Sequence, residues 1–303
     1  NQFKKENKNF FLTVGFQKPH LPFTPPKKYW NLYDRNKIDL AEFQKKSDGS
    51  PLEAYHQSGE LRNYHDAEPS MDENGIVNED KQRELIHGYM ASVSFIDAQL
   101  GLILNHLESL GMDKNTIVIF FGDHGWHLGD HGLWNKHSNF EEATRTPLIF
   151  KSPDIEGGFI NDSPVELLDI FPTICNLAGI PIPEDLDGVS LVPILDKKSE
   201  RLKEFAISQY PRRCNVMRSV IGRYPDDCTL MGYAVRNDRY RYIAWVSGNF
   251  EDRSSFNNDK IIMEELYDYE IDPLETKSFS LDSDYQKIKE KMIGNLRGVI
   301  WEN

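Results

Sequence analysis

Thr116-Ile-Val-Ile-Phe-Phe121 runs directly into Gly122-Asp-His-Gly-Trp-His-Leu-Gly-Asp-His-Gly132, and the chain continues through Leu133-Trp-Asn-Lys136 to His137. The first six residues are apolar or β-branched, which predicts a buried parallel strand. Behind them, residues 122–137 hold four of the nine histidines, two aspartates and four glycines. Ligands of open α/β sheets gather beyond the carboxyl ends of the strands, so a metal or an anion is expected here.

The chain around this loop has 303 residues, enough for one large or two ordinary domains with a real core. Its net charge is −13 and no basic stripe is visible. Nucleic acid and anionic membrane surfaces both need clustered Lys and Arg, so neither is an expected partner. No apolar run approaches the roughly 18 residues that cross a bilayer. The opening Asn1-Gln-Phe-Lys-Lys5 has no initiator Met and no signal peptide, and reads as part of a longer or processed polypeptide. Cys175, Cys214 and Cys228 form no metal-like spacing; a Cys214–Cys228 disulfide and the redox compartment stay open.

Toward the N-terminus, Asn9-Phe-Phe-Leu-Thr-Val-Gly15 predicts a buried strand, and a proline-rich loop with Lys18-Pro-His20 follows. From Thr24 to about Asn78 no periodicity lasts, the mark of a long functional loop or of disorder. Glu79 to Leu110 predicts a helix whose apolar face carries Leu85, Tyr89, Val93, Ile96, Leu100, Ile103, Leu107 and Leu110. Glu79 and Asp80 suit its positive end and Gly111 its stop. Pro147-Leu-Ile-Phe150 predicts a second strand after the glycine-rich loop. The next helix is expected to begin with Ser163 as N-cap, Pro164 and a capping-box Glu166, to kink at Pro172 and to end at Gly179.

Past about Lys197 the pattern changes. Tyr233–Arg236, Asn237-Asp238 and Tyr240–Val246 predict a β-hairpin, Glu265–Tyr269 a further strand, and Ser283–Trp301 a terminal helix. The expected organisation is an α/β part, 1–197, and a smaller α+β lobe with an antiparallel sheet, 198–303.

Asp123 and His124 stand at a strand end, with Gly125 allowing a sharp turn. Together they offer oxygen and nitrogen to one divalent ion, and a hard cation such as Ca²⁺ would need further carboxylates from elsewhere. A rival zinc site would use His127 and His131 at i and i+4 with His124 or His137, which works only on a helix. Gly125, Gly129 and Gly132 argue against one. The plainest alternative is a structural turn whose histidines only make hydrogen bonds. Lys136 is either a solvated charge or an oxyanion contact, and His20 either a surface histidine or a proton donor.

At these residues the chain resembles the sulfatases, of the alkaline phosphatase-like superfamily. The likeness runs nearly end to end, through Phe10–Phe23, Tyr89–Asp97, Asp123–Lys136, Glu166–Thr173, Ser208–Arg212, Met231–Tyr233 and Tyr240–Tyr242. It implies an alkaline phosphatase-like α/β sheet flanked by helices with a small C-terminal sheet lobe. It also implies a sulfuric ester hydrolase acting on a sulfated sugar or glycosaminoglycan fragment, outside the cytoplasm. By the family's pattern Asp123 and His124 are calcium ligands, and His20 and Lys136 contact the sulfate. His20 is also the donor to the leaving alcohol, while Trp126 and His137 line the pocket near the sugar. His127, Asp130 and His131 receive no catalytic role and revert to structural duty.

The family's nucleophile is a formylglycine made from the Cys or Ser of Cys/Ser-x-Pro-x-Arg. No such motif occurs in these residues, nor do the paired aspartates that complete the calcium site. The resemblance therefore implies the C-terminal portion of a sulfatase, lacking N-terminal strands and needing an N-terminal segment to complete the site. Two other functions fit the same residues: a related phosphomonoester or phosphonate hydrolase, and a non-catalytic sulfated-glycan binding fragment. A fragment that cannot stand alone would expose an apolar sheet edge prone to association.

Overall fold

The computed structural model describes residues 6, 8–67, 76–213, 229–247 and 261–300. The chain divides into two compact units. The first comprises Asn1–Ala41, Gly59–Val118 and Lys151–Asp154, and the second Glu42–Ser58, Ile119–Phe150 and Ile155–Asn303. Among the described residues, no helix is long and apolar enough to cross a membrane.

The first unit is organised by a long helix. Short helices α1 (Lys27–Trp30) and α2 (Gly59–Arg62) precede α3 (Glu79–Ser109). Asn78 caps α3 by accepting from the Lys81 amide at 3.0 Å, and Glu79 and Asp80 face its positive end. Gly111 then takes a φ of 63°, the left-handed stop expected there. Helix α1 packs on the first half of α3, with Trp30 stacked on His87 at 4.1 Å and Tyr29 tilted against Phe95 at 5.4 Å. A Cβ on Gly88 would come within 2.7 Å of the Phe23 Cβ, so glycine is what lets the loop approach. Leu85, Ile86, His87 and Ala91 are among its buried positions, but the expected stripe is not buried throughout; Val93 and Ile103 are exposed.

The expected strand at 9–15 does not form. No ladder pairs with it among the described residues, and Phe11 is 78% exposed. Apolar composition makes a segment fit for a strand, but only a hydrogen-bonding neighbour makes it one.

In the second unit, β1 (Val118–Phe121) pairs with β4 (Leu148–Lys151), and the two-residue strands β2 (His127–Leu128) and β3 (Trp134–Asn135) pair antiparallel between them. Strand β1 is half-buried rather than fully buried. A short helix α4 (Glu141–Thr144) separates β3 from β4. Helix α5 (Ile170–Leu177) starts later than expected, after a 3-10 turn at Leu167–Asp169. Its capping box is Glu166 with Asp169, while the Ser163 amide turns back to Asn161 Oδ1 at 3.0 Å. Pro172 therefore falls in the first α-helical turn, where its missing N–H costs nothing, and no kink is needed. Cys175 is a buried free thiol; Cys214 and Cys228 lie outside the described residues.

Past residue 197 the second unit carries a four-stranded antiparallel sheet in the order β5 (Ala206–Arg213), β6 (Thr229–Arg236), β7 (Tyr240–Ser247), β8 (Ile261–Asp268). Pro211 sits in β5, on the sheet's edge, the position that tolerates a missing donor. Alternation decides the two cores. Leu230, Ala234, Ile243, Trp245 and Tyr267 pack with Tyr55, Leu133 and Phe140. Met231, Val235, Tyr242, Ala244 and Leu266 pack with Met292 and Leu296 of the terminal helix α6 (Gln286–Ile300). With both faces covered, β7 is buried along nearly its whole length.

Candidate active site

The loop after β1 is held down from behind. The Gly122 amide donates to Pro147 O at 3.1 Å and the Gly125 amide to Ala143 O at 2.9 Å. A Cβ on Gly125 would overlap the carbonyl oxygens of Glu142 and Arg145, so only glycine passes there. This anchoring turns Asp123 and His124 outward: Asp123 is 85% exposed and His124 31%.

The His124 ring is oriented by its own neighbour. Its Nδ1 lies 2.8 Å from Gly125 O, an acceptor, so Nδ1 carries the hydrogen and Nε2 keeps a lone pair when the ring is neutral. That Nε2 stands 3.6 Å from Asp123 Oδ2. Adjacent donors on one ion, at Ca²⁺-like bond lengths of 2.3–2.6 Å, stand roughly 3.3–3.7 Å apart. The pair therefore fits one edge of a divalent-ion shell. Among the described residues no third His, Cys, Asp or Glu donor joins them.

Trp126 connects this pair to the cation. Its ring stacks against His124 at 5.9 Å between centroids, and Lys136 Nζ lies 5.0 Å from its centroid. His137 sits in a neighbouring group. Its Nδ1 bonds Tyr210 OH at 2.7 Å, its carbonyl accepts from Arg212 Nη2 at 2.6 Å, and its ring meets His56 edge-on at 5.7 Å. Burial, then Arg212, pushes His56 down to about 3. Tyr210 and Arg212 belong to a motif already noted, but nothing in the sequence tied them or His56 to His137.

The zinc alternative is overturned. His127 is fully buried on β2 with Nε2 2.7 Å from Ser138 Oγ, and His131 takes a left-handed φ of 56° rather than a helical one. Their rings are 6.3 Å apart, and neither shares a donor cluster with His124 or His137. His131 Nε2 instead faces Glu142 Oε2 at 3.9 Å and Glu275 Oε2 at 4.0 Å. These three donor atoms lie within 4.8 Å of one another, close enough to hold an ion, yet Arg241 Nε already stands 3.1 Å from Glu275. Burial, then Glu275, raises Glu142 to about 8; burial, then Arg241, lowers His131 to about 4.

His20 belongs to the first unit. Its Nδ1 is 2.9 Å from Leu21 O and its Nε2 3.3 Å from Glu60 Oε1, an acidic partner that no local pattern signals.

A model of the sulfatase family matches residues 1–180, and one described as N-sulphoglucosamine sulphohydrolase, C-terminal, matches residues 129–301. The chain belongs to the sulfatase family. It is 33% identical to human iduronate 2-sulfatase over 90% of its own length and 32% identical to the mouse protein over 91%. It spans 58% of the length of each. Among solved structures it resembles a protein in complex with its substrate D-glucosamine-2-N,6-O-disulfate, at a TM-score of 0.70 and 20% identity, covering 95% of this chain and 65% of that one. It resembles the phosphonate monoester hydrolase of Agrobacterium radiobacter at a TM-score of 0.69 and 23% identity, covering 93% and 55%. At such identities the likeness establishes the sulfatase-type, alkaline phosphatase-like fold.

Proposed function

We propose that this chain supplies part of the machinery of a sulfuric ester hydrolase acting on sulfated sugars, glycosaminoglycan fragments with a uronate 2-sulfate being the leading candidates. The observation carrying this reading is the outward pair Asp123–His124, donor atoms 3.6 Å apart, linked through Trp126 to the Lys136 ammonium.

Asp123 and His124 would hold a calcium ion, which when bound draws negative charge off sulfate oxygens. Lys136 adds a second positive charge for those oxygens. Trp126 holds the ammonium by its ring face, and His137, held by Tyr210, offers Nε2 toward a sugar. His20 protonates the departing alcohol. The formylglycine nucleophile is expected from a Cys/Ser-x-Pro-x-Arg segment, which is not among these 303 residues. An extracytoplasmic site of action belongs to the same proposal.

The test is release of inorganic sulfate from a uronate 2-sulfate disaccharide by the intact polypeptide. Release that needs Ca²⁺ and falls at least 100-fold in Asp123→Asn and in Lys136→Ala is the expected result. Saturable binding of the disaccharide with no sulfate released would instead favour a glycan-binding role.

A further inference from the structure

We infer that Glu60 is the positioning residue of His20, an inference that rests on His20 being the proton donor to the leaving alcohol. The loop carrying His20 is folded onto itself. The His20 amide donates to Gln17 O at 3.0 Å, and Lys18 Nζ donates to the carbonyls of His20, at 3.3 Å, and Pro22. On either side of the pair, Leu21 and Leu61 are buried at 5% and 2% exposure. The backbones bearing His20 and Glu60 are thus anchored next to both residues, while their side chains remain 38% and 31% exposed, open to a substrate.

The ring itself is clamped between two acceptors. Leu21 O can only accept, so Nδ1 carries a hydrogen. This aims Nε2 at Glu60 Oε1, 3.3 Å away. When the ring is protonated, a carboxylate there pairs with Nε2–H, the group a general acid must use. Unlike a triad carboxylate, which sits on the opposite ring nitrogen, Glu60 faces the donating nitrogen itself, where it orients that N–H and stabilises the ring's cation until the leaving oxygen takes its place. At 3.3 Å the contact is long, so the proton is held without being sequestered.

The step balances with Glu60 unchanged. As the ester S–O bond breaks, its electron pair stays on the sugar oxygen, which takes the proton from Nε2. His20 is left neutral and Glu60 remains a carboxylate; His20 regains a proton from water before the next cycle. An alkoxide is a far stronger base than a carboxylate, so Glu60 does not compete for that proton once the bond breaks.

The experiment compares Glu60→Gln, Glu60→Asp and His20→Ala in the intact polypeptide, using aryl sulfates of rising leaving-group pKa and a sulfated sugar. Glu60→Gln is expected to lower kcat/KM roughly 10–100-fold for the sugar sulfate and less than about 3-fold for a nitrophenyl-type sulfate. The dependence on leaving group should steepen, KM should hold, and Glu60→Asp should recover much of the loss. A uniform loss across leaving groups, or none, in Glu60→Gln overturns the inference while His20→Ala still shows the steep dependence. If His20→Ala itself shows no such dependence, the proton-donor reading fails and Glu60 loses its assignment with it.

Discussion

Lys136 Nζ stands 5.0 Å from the centre of the Trp126 ring, which also stacks against the His124 imidazole. The indole therefore ties a cation to one of two metal-type donors, and the three side chains come from a single 13-residue run of chain, His124–Lys136. A cation over an indole is worth about 0.5–1 kcal/mol at an exposed site. Trp126→Ala should accordingly raise KM for a sulfated sugar roughly 2–5-fold by letting the ammonium wander, with kcat changed less. Steady-state kinetics that show KM unchanged would argue that the ring does not place Lys136.

Asp123 and His124 present two donor atoms and little else. Removing one should cut affinity sharply, because a carboxylate is the hard ligand of the pair. Asp123→Asn is expected to abolish the rise in Tm that millimolar Ca²⁺ gives the unaltered protein, a rise that follows from binding to the folded state alone. Differential scanning calorimetry with and without Ca²⁺ checks it. Equal Ca²⁺-induced shifts in both proteins would place the ion elsewhere.

Glu142 makes stability depend on pH. Its folded pKa, about 8, lies above the ordinary 4.5, so the folded state keeps a proton the unfolded chain has released. Its contribution is full below pH 4.5 and is lost as pH rises through 8. His131, lowered from 6.5 to about 4, acts below 6.5, and Glu265, raised to about 7 by burial, acts mostly below 7. Of these three groups, Glu142 is the one whose titration falls mainly between pH 7 and 8. Stability should fall there by up to about 1 kcal/mol, and Glu142→Gln should flatten the slope. Urea unfolding at the two pH values measures this, and an unchanged slope in the variant would refute it.

Arg241 is buried with its guanidinium on Glu141 and Glu275, on Tyr269 OH at 2.7 Å and on Thr144 Oγ1 at 3.0 Å. Arg241→Met should cost about 3–5 kcal/mol, since it leaves the buried Glu275 without its arginine, while Glu141 keeps Arg236 at 3.2 Å. Introducing Glu141→Gln and Glu275→Gln together with it should recover much of the loss. A single variant with near-native Tm would mean the network is already neutralised by protons.

Much of this was legible locally. Helix 79–109 follows from an i, i+3, i+4 pattern opening on two acids and closing on a glycine, and the hairpin at 237–240 from turn residues between alternating strands. Helix α5 was legible in existence but not in its start, because Ser163 donates its amide and hydroxyl to Asn161 Oδ1 while Glu166 and Asp169 form the capping box. The strand at 9–15 failed for a related reason: apolar character is a property of residues, and pairing is a property of neighbours.

The residues by themselves pointed to 122–137 as the candidate chemical loop of this sulfatase chain, because a strand end followed by glycines, acids and histidines suits a metal or an anion. They did not sort its four histidines. Anchoring of Gly122 and Gly125 turned His124 outward beside Asp123, while Phe140, Ser138 and Ser47 enclosed His127 and His131, whose buried rings stay neutral. Pairing of His20 with Glu60, forty positions away, was likewise decided only by packing around Leu21 and Leu61. Local pattern reaches across a few residues of chain; desolvation and long-range charge contacts exist only once distant segments have been brought together.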